Sequence, residues 1–190
     1  MSDVDILVLV EGVTEKGAIK SIAKRLGVKI KVVLMRGNRI EKVRGVIRTL
    51  GFRYDKFIIL KDLHKYPEKT IIERYNRIRR TINADLYERV KLVIVKYAIE
   101  AWFLADTDAV SRVFNCRRLR AIRDPESIED PAEELNNMLK REGKLYYKAE
   151  NIAERIMKEA DLEVISKKAA SFREFLNCLT DPPFISQLHK

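Results

Sequence analysis

Hydrophobic residues in the first hundred positions fall into four short runs that alternate with stretches of helical spacing. The apolar runs predict strands over 5–10, 29–35, 56–61 and 90–95. The intervening stretches predict helices over 14–26, 39–50 and 67–83. Strands that alternate with helices of this length favour βαβ units, and almost uninterrupted apolar runs favour strands covered on both faces. We therefore predict an α/β fold with a mainly parallel four-stranded sheet flanked by helices.

The second half of the chain has a different pattern, in which short amphipathic helices predominate. Helices are predicted over 99–104, 109–114, 131–142, 149–160 and 168–179. Asp108 is placed to cap the second of these helices, and only Glu163-Val164-Ile165 has the pattern of a strand. We expect an α/β domain over 1–106 and a helical C-terminal extension over 107–190 that packs on it as a cap.

Acidic side chains follow three of the predicted strands where each strand ends. Glu11 follows the first strand, Asp62 follows the third, and Glu100 comes a few residues after the fourth. Because ligands of open α/β sheets bind outside the carboxyl ends of the strands, we expect these acids to lie close together. Neighbouring carboxylates repel each other unless a cation or a proton intervenes, and Mg²⁺ and Mn²⁺ prefer such oxygen ligands. The three acids therefore predict a divalent-cation site, with helix capping or individual pairing to Lys or Arg as the alternative.

Four further residues are candidates near this edge. His64 lies two residues after Asp62, so on an extended segment both side chains point the same way, and His64 is a candidate metal ligand or an ordinary loop residue. Glu15 and Asp106 are secondary candidates, with the alternatives that Glu15 suits the helix dipole and Asp106 caps a helix. Lys148 is a candidate catalytic residue that would contact a phosphate or a developing negative charge.

The positive charge is concentrated in the half that carries the strand-end acids. The formal net charge is +10, and residues 1–100 hold 23 Lys and Arg against 12 Asp and Glu. A basic surface attracts polyanions, which predicts nucleic acid as a partner and makes Arg36, Arg39 and Lys61 candidate phosphate-binding residues. The alternative is a solvated surface, since abundant Lys, Arg and Glu with few Gln is typical of a thermophile protein.

Other classes of protein are disfavoured by the pattern. No apolar run approaches the roughly 18 residues of a membrane span, and the acidic N-terminus is unlike a signal peptide. Cys116 and Cys178 fit no zinc spacing, and no Walker loop or dinucleotide glycine motif is present. We expect a cytoplasmic protein without a membrane partner, and the sequence leaves the oligomeric state open, with a homodimer as one alternative.

Three segments resemble motifs of Toprim domains. Val10-Glu11-Gly12-Val13-Thr14-Glu15 is similar to the first Toprim motif, a strand-end glutamate followed by glycine and a helix. Leu60-Lys61-Asp62-Leu63-His64 resembles the Toprim Asp-x-Asp motif. Ile99-Glu100-Ala101-Trp102-Phe103-Leu104-Ala105-Asp106 resembles the Glu-Ala-Trp-Leu-Leu-Ala-Asp signature of a Toprim-like family of uncharacterised proteins. That family is related to RloB-like proteins and, more distantly, to OLD-type nucleases.

The resemblance implies a Toprim-like fold and a nuclease that uses Mg²⁺ or Mn²⁺, with phage defence as one setting. It gives Glu11 the role of metal ligand or general acid/base and Asp62 the role of metal ligand. His64 stands where the motif has its second aspartate, and Glu100 is the residue able to supply the missing carboxylate. The implied partner is DNA or RNA. The alternatives are a catalytically inert module that binds nucleic acid or a protein partner, and a small phosphohydrolase acting on nucleotides.

Overall fold

The predicted strands form one parallel sheet. In this computed structural model, which describes residues 5–35, 42–64, 66–82 and 84–180, the strands are β1 (Ile6–Val10), β2 (Ile30–Leu34), β3 (Lys56–Asp62) and β4 (Val90–Val95). Their order is β2-β1-β3-β4, and every neighbouring pair is parallel. The prediction of a four-stranded parallel sheet flanked by helices is confirmed.

Helices flank the sheet in the first half of the chain and make up most of the second half. The first group is α1 (Val13–Leu26), α2 (Lys42–Leu50), α3 (Glu68–Arg79) and α4 (Ala84–Tyr87). The second group is α5 (Glu100–Ala105), α6 (Thr107–Phe114), α7 (Pro131–Lys140), α8 (Glu150–Glu159), α9 (Leu162–Lys168) and α10 (Ala170–Leu179), with a 3₁₀ turn over Pro125–Ser127. No helix within the described ranges is both long and apolar enough to cross a membrane.

Two local predictions in the second half are wrong. The stretch 163–165 is not a strand, because Asp161 begins α9 by accepting hydrogen bonds from the Glu163 and Val164 N–H groups. Asp108 does not cap α6. Asp106 does so instead, accepting from the Ala109 N–H at 3.2 Å, while Asp108 pairs with Arg118 on the surface. Short polar side chains bond nearby N–H groups, and this local chemistry overrides a weak strand pattern.

Each face of the sheet has its own hydrophobic core. Leu9 and Ile59 belong to a core with residues of α2 and α3, whereas Val8 and Ile58 belong to a larger core with α1 and the C-terminal helices. Successive strand residues point to opposite faces, so apolar runs without alternation are needed to fill both cores. The larger core contains residues from both halves of the chain. The predicted domain boundary at residue 106 stays a prediction.

Trp102 lies at the centre of the contact between α5 and α10. Its side chain is fully buried, and its ring packs edge-on against Phe172 with centroids 5.0 Å apart. The indole N–H donates to Ser171 Oγ at 2.9 Å, and Ser171 Oγ in turn donates to Glu126. Because the indole donor is satisfied, burial of this large ring carries no penalty for an unpaired polar group. Trp102 is therefore a core residue that joins the two helices.

The helix that follows Glu11 is held in place by close packing against α8. Gly17 lies where α1 meets the start of α8, and a Cβ at this position would be 2.0 Å from the Glu150 carbonyl oxygen. The Glu150 carboxylate pairs with Lys16 and Lys20, each at 2.7 Å. The absence of a side chain at Gly17 therefore allows the helices to approach closely next to the residues at the sheet edge.

Gly17→Ala is expected to destabilise the protein, because the new methyl group has no space beside the α8 backbone. Overpacking of this kind costs about 1–3 kcal/mol in the free energy of unfolding. Gly45→Ala on α2 is the matched control, since a Cβ there meets nothing within 4 Å and removal of a helical glycine gains about 0.5–1 kcal/mol. Chemical denaturation measures both changes, and equal effects at the two positions would contradict this view of the α1–α8 contact.

Candidate functional site

The acidic residues lie at the point where the strand order of the sheet reverses. The order β2-β1-β3-β4 changes direction between β1 and β3, and ligands of open α/β sheets bind outside the carboxyl ends of the strands at this point. Glu11 directly follows β1, and Asp62 is the last residue of β3. In the parallel register Leu9 pairs with Ile59, which places Glu11 opposite Lys61.

Glu11 and Lys61 form a buried pair across the two central strands. The Lys61 side chain is 1% exposed, and its ammonium group donates to Glu11 Oε1 and to the Asp62 carbonyl oxygen, the latter at 2.9 Å. Burial raises the pKa of Glu11, but the adjacent His64 and Lys61 side chains outweigh it and hold the pKa below its ordinary value. Glu11 is therefore ionised at neutral pH, and Lys61 is turned towards this carboxylate instead of towards solvent.

Asp62 is a buried carboxylate that forms no ion pair with the described residues. Its Oδ2 atom accepts a hydrogen bond from the Ile99 N–H at 3.4 Å, and within the described part of the chain its buried Oδ1 atom has no partner. Burial raises the pKa of Asp62 well above its ordinary value, and the charges of Glu15, Glu100 and Glu11 raise it further. Asp62 therefore keeps its proton to a higher pH than an ordinary aspartate does.

Glu100 is fully buried at the start of α5, where two side chains of one segment reach it. Its Oε1 atom accepts from the Tyr146 hydroxyl at 2.9 Å and lies 3.2 Å from the Lys148 ammonium, while Oε2 is buried without a partner. Burial and the Glu100 charge raise the pKa of Tyr146, so its hydroxyl remains a donor. Tyr146 was missed in the sequence. The signal that could have found it is its position two residues before Lys148, since residues two apart on an extended segment point the same way.

Glu15 completes the group of carboxylates from the first turn of α1. The side chain is buried, and burial together with the charges of Glu100 and Glu11 raises its pKa. A Cβ on Gly12 would lie 2.9 Å from Glu15 Oε2, so glycine at position 12 leaves room for this carboxylate. Glu11, Glu15, Asp62 and Glu100 are called the acidic cluster below.

Other residues predicted for the site have different surroundings. The two oxygens of Asp106 accept from the backbone N–H groups of Ala109 and Asp161, so this carboxylate fixes the starts of α6 and α9. Lys61, predicted to bind phosphate, is instead buried against Glu11. Arg36 and Arg39 lie outside the described residues, so their predicted contacts with phosphate stay predictions.

The acidic cluster has features of a cation site, but its carboxylates do not converge on one coordination centre in the described structure. Within the described ranges, no three His, Cys, Asp or Glu side chains are already arranged to hold a metal ion together. The ammonium groups of Lys61 and Lys148 each neutralise one carboxylate instead. The unpartnered buried oxygens of Asp62 and Glu100 nevertheless fit hard cations such as Mg²⁺, which bind carboxylate oxygens. The Lys148 side chain is 55% exposed, in contrast to the buried Lys61.

Comparison with known proteins identifies the family without assigning an activity. A model of the family described as Domain of unknown function (DUF4276) matches residues 10–180, which include the whole acidic cluster. The chain belongs to the DUF4276 family. Neither a curated protein nor a solved structure matches it. The resemblance of this DUF4276 chain to Toprim domains rests on the three motifs alone and stays a prediction.

A cavity of about 520 Å³ opens beside the acidic cluster of this DUF4276 protein. His64, Tyr97, Tyr147 and Lys148 contribute to its lining. His64 and Tyr97 follow β3 and β4 with left-handed φ angles of 48° and 60°, and the His64 N–H donates to the Tyr97 carbonyl oxygen at 2.8 Å. Positive φ angles are uncommon for residues other than glycine, so the backbone is strained at two positions that line this cavity.

Asp62→Asn is expected to stabilise the DUF4276 fold above acidic pH, because a neutral amide is not repelled by Glu11, Glu15 and Glu100. A raised pKa makes ionisation of Asp62 costly in the folded state, at about 1.4 kcal/mol per pKa unit. Below the unfolded pKa of about 3.9, Asp62 is protonated in both states and the gain should be smallest. Stability should then rise relative to wild type as pH increases towards the raised pKa.

Thermal unfolding at several pH values measures this gain, with about 2–4 °C expected per kcal/mol. Asp124→Asn is the matched control, since Asp124 is exposed and its side chain caps nothing. A loss of stability in Asp62→Asn at neutral pH would show that Asp62 is not electrostatically strained.

Proposed function

We propose that this DUF4276 protein hydrolyses phosphodiester bonds of nucleic acids with the help of a bound divalent cation. The observation that carries the proposal is the acidic cluster, in which four carboxylates converge at the reversal point of the sheet and two retain buried oxygens without partners. Carboxylates are costly to bury together, so a chain that keeps four of them at a ligand-binding edge gains something from their charge. The resemblance to Toprim motifs supports the same chemistry.

Asp62 and Glu100 are the residues that would hold Mg²⁺ or Mn²⁺, with Glu11 and Glu15 close enough to contribute charge. Such an ion, when bound, polarises a phosphoryl oxygen and favours ionisation of water. Hard oxygen ligands suit both metals, and His64 at the rim would favour Mn²⁺ over Mg²⁺ if it also took part. The donor set therefore fits the cofactor implied by the resemblance.

The remaining residues of the site would position the substrate and balance the charge of the acidic cluster. Glu11 stays ionised because its pKa is lowered, and its contact with Lys61 fixes it at the end of β1. Burial lowers the pKa of Lys148, but Glu100 outweighs it and raises the pKa, so the ammonium is charged and available to a substrate phosphate. His64 is 44% exposed, and its Nε2 atom lies 3.9 Å from Glu11 Oε2 at the rim of the site.

A second candidate function is binding of nucleic acid without cleavage. The Glu11–Lys61 pair favours it, because an internal ammonium already neutralises the carboxylate that the resemblance makes catalytic. The two candidates differ in their use of metal. A hydrolase requires Mg²⁺ or Mn²⁺ for turnover, whereas a binding module retains its affinity for nucleic acid in a chelator.

The test is cleavage of labelled single-stranded and duplex DNA and RNA with Mg²⁺, with Mn²⁺ and with EDTA. Glu100→Gln and Asp62→Asn should each reduce metal-dependent cleavage by at least about 100-fold, since even changes to residues that only support a ligand cost 10- to 100-fold. Glu163→Gln removes the same charge from an exposed pair with Lys167 and should leave cleavage unchanged.

Wild-type protein that binds these substrates but cleaves none of them with either metal would overturn the hydrolase and favour the binding module. Cleavage that survives in both Glu100→Gln and Asp62→Asn would show that the acidic cluster is not the active site. Circular dichroism of each variant shows whether any loss of cleavage reflects a loss of folded protein.

A further inference from the structure

A groove lined by two arginines lies between α2 and the end of α3. Arg44 and Arg48 of α2 and Thr81, just after α3, line a cavity of about 370 Å³ together with Ile82 and Leu86. Arg44 and Arg48 are exposed and one helical turn apart. The two arginines therefore present their guanidinium groups along one side of α2, facing the end of α3.

Two more arginines lie on the same side of α3 as Thr81. Arg74, Arg77 and Thr81 are spaced three and four residues apart, which places them on one side of the helix. The helical turn continues as far as Thr81, whose N–H donates to the Ile78 carbonyl oxygen at 2.9 Å. Arg74 and Arg77 are exposed and extend the basic surface along α3 beyond the residues that line the cavity.

These four arginines have no carboxylate partner among the described residues. Among the described side chains nearby, Glu73 contacts Lys69 and Glu88 contacts Arg79 and Lys91. Like charges one turn apart on a helix destabilise it slightly, so arginines spaced in this way add nothing to the stability of the fold.

The groove lies at the edge of the sheet opposite the acidic cluster. α2 and α3 follow the carboxyl ends of β2 and β3 and precede parallel strands, so each runs back across the sheet from the edge that carries the site. Thr81, Ile82 and Leu86 come after α3 and before β4, so the cavity that they line lies at the far end of α3. A nucleic acid bound in the groove would therefore contact a surface separate from the acidic cluster.

We propose that the groove between α2 and the end of α3, together with the exposed arginines of α3, binds the phosphodiester backbone of a nucleic acid. The naming of nucleic acid rests on the function proposed above. Guanidinium groups suit this role because they bind phosphate oxygens in a planar, two-pronged geometry and stay charged at all physiological pH values. Four such groups along two helices recognise the backbone and not the bases, so binding depends on charge and little on sequence.

The test is the affinity of wild type and two double variants for fluorescein-labelled single-stranded DNA, single-stranded RNA and duplex DNA, measured by anisotropy in EDTA at several salt concentrations. Arg44→Gln with Arg48→Gln should weaken binding on the order of tenfold or more and reduce the slope of log affinity against log salt by about two. Arg117→Gln with Arg123→Gln removes the same charge from two exposed positions in the C-terminal half and should change affinity less than about twofold.

The three probes identify which nucleic acid the groove prefers, and each comparison is informative. Equal losses in the two double variants would show only a general effect of charge and would overturn the groove, as would an unchanged affinity in Arg44→Gln with Arg48→Gln. Wild type that binds none of the three probes would also overturn it. If the groove variant loses binding and wild type shows no metal-dependent cleavage, the proposed binding role of the groove is supported and the proposed hydrolase activity is rejected. If wild type cleaves and the groove variant binds as tightly as wild type, the hydrolase is supported and the binding role of the groove is rejected.

Discussion

Repulsion among the buried carboxylates of the acidic cluster is the constraint around which the rest of the site is arranged. Glu11, Glu15, Asp62 and Glu100 are close enough for their charges to interact, and among the described residues Lys61 and Lys148 pair with Glu11 and Glu100. Charges interact strongly where water is scarce, so this arrangement is sustained by surrounding structure and not by its own energy. The close α1–α8 contact and the Trp102 packing hold the elements that carry the acids.

The same constraint explains why the cluster is divided into two parts. On one side of the sheet edge Glu11 is neutralised by Lys61, which is buried and fixed in place. On the other side Glu100 pairs with Lys148, whose side chain is 55% exposed, and Asp62 forms no ion pair with any of the described residues. The second part is the one that an incoming cation would complete, and it adjoins the cavity beside His64 and Tyr97.

The sequence predicted the sheet because long apolar runs must be buried on both faces, and it placed Glu11 and Asp62 because they stand where β1 and β3 end. It did not predict the buried Lys61, since its partner depends on the register between β1 and β3, which no local pattern reveals. Tyr146 was missed because it joins the site from a distant segment of irregular backbone. The mistaken strand at 163–165 arose because apolar spacing over three residues is weaker than a single capping aspartate.

The most direct test of the central claim is anomalous diffraction from crystals of this protein grown or soaked with Mn²⁺. If the acidic cluster exists to hold a divalent cation, the anomalous map will contain a peak in contact with Asp62 Oδ1 and Glu100 Oε2, with the Lys148 side chain displaced from Glu100. A map without such a peak at saturating Mn²⁺, with Lys148 still paired to Glu100, would contradict the account.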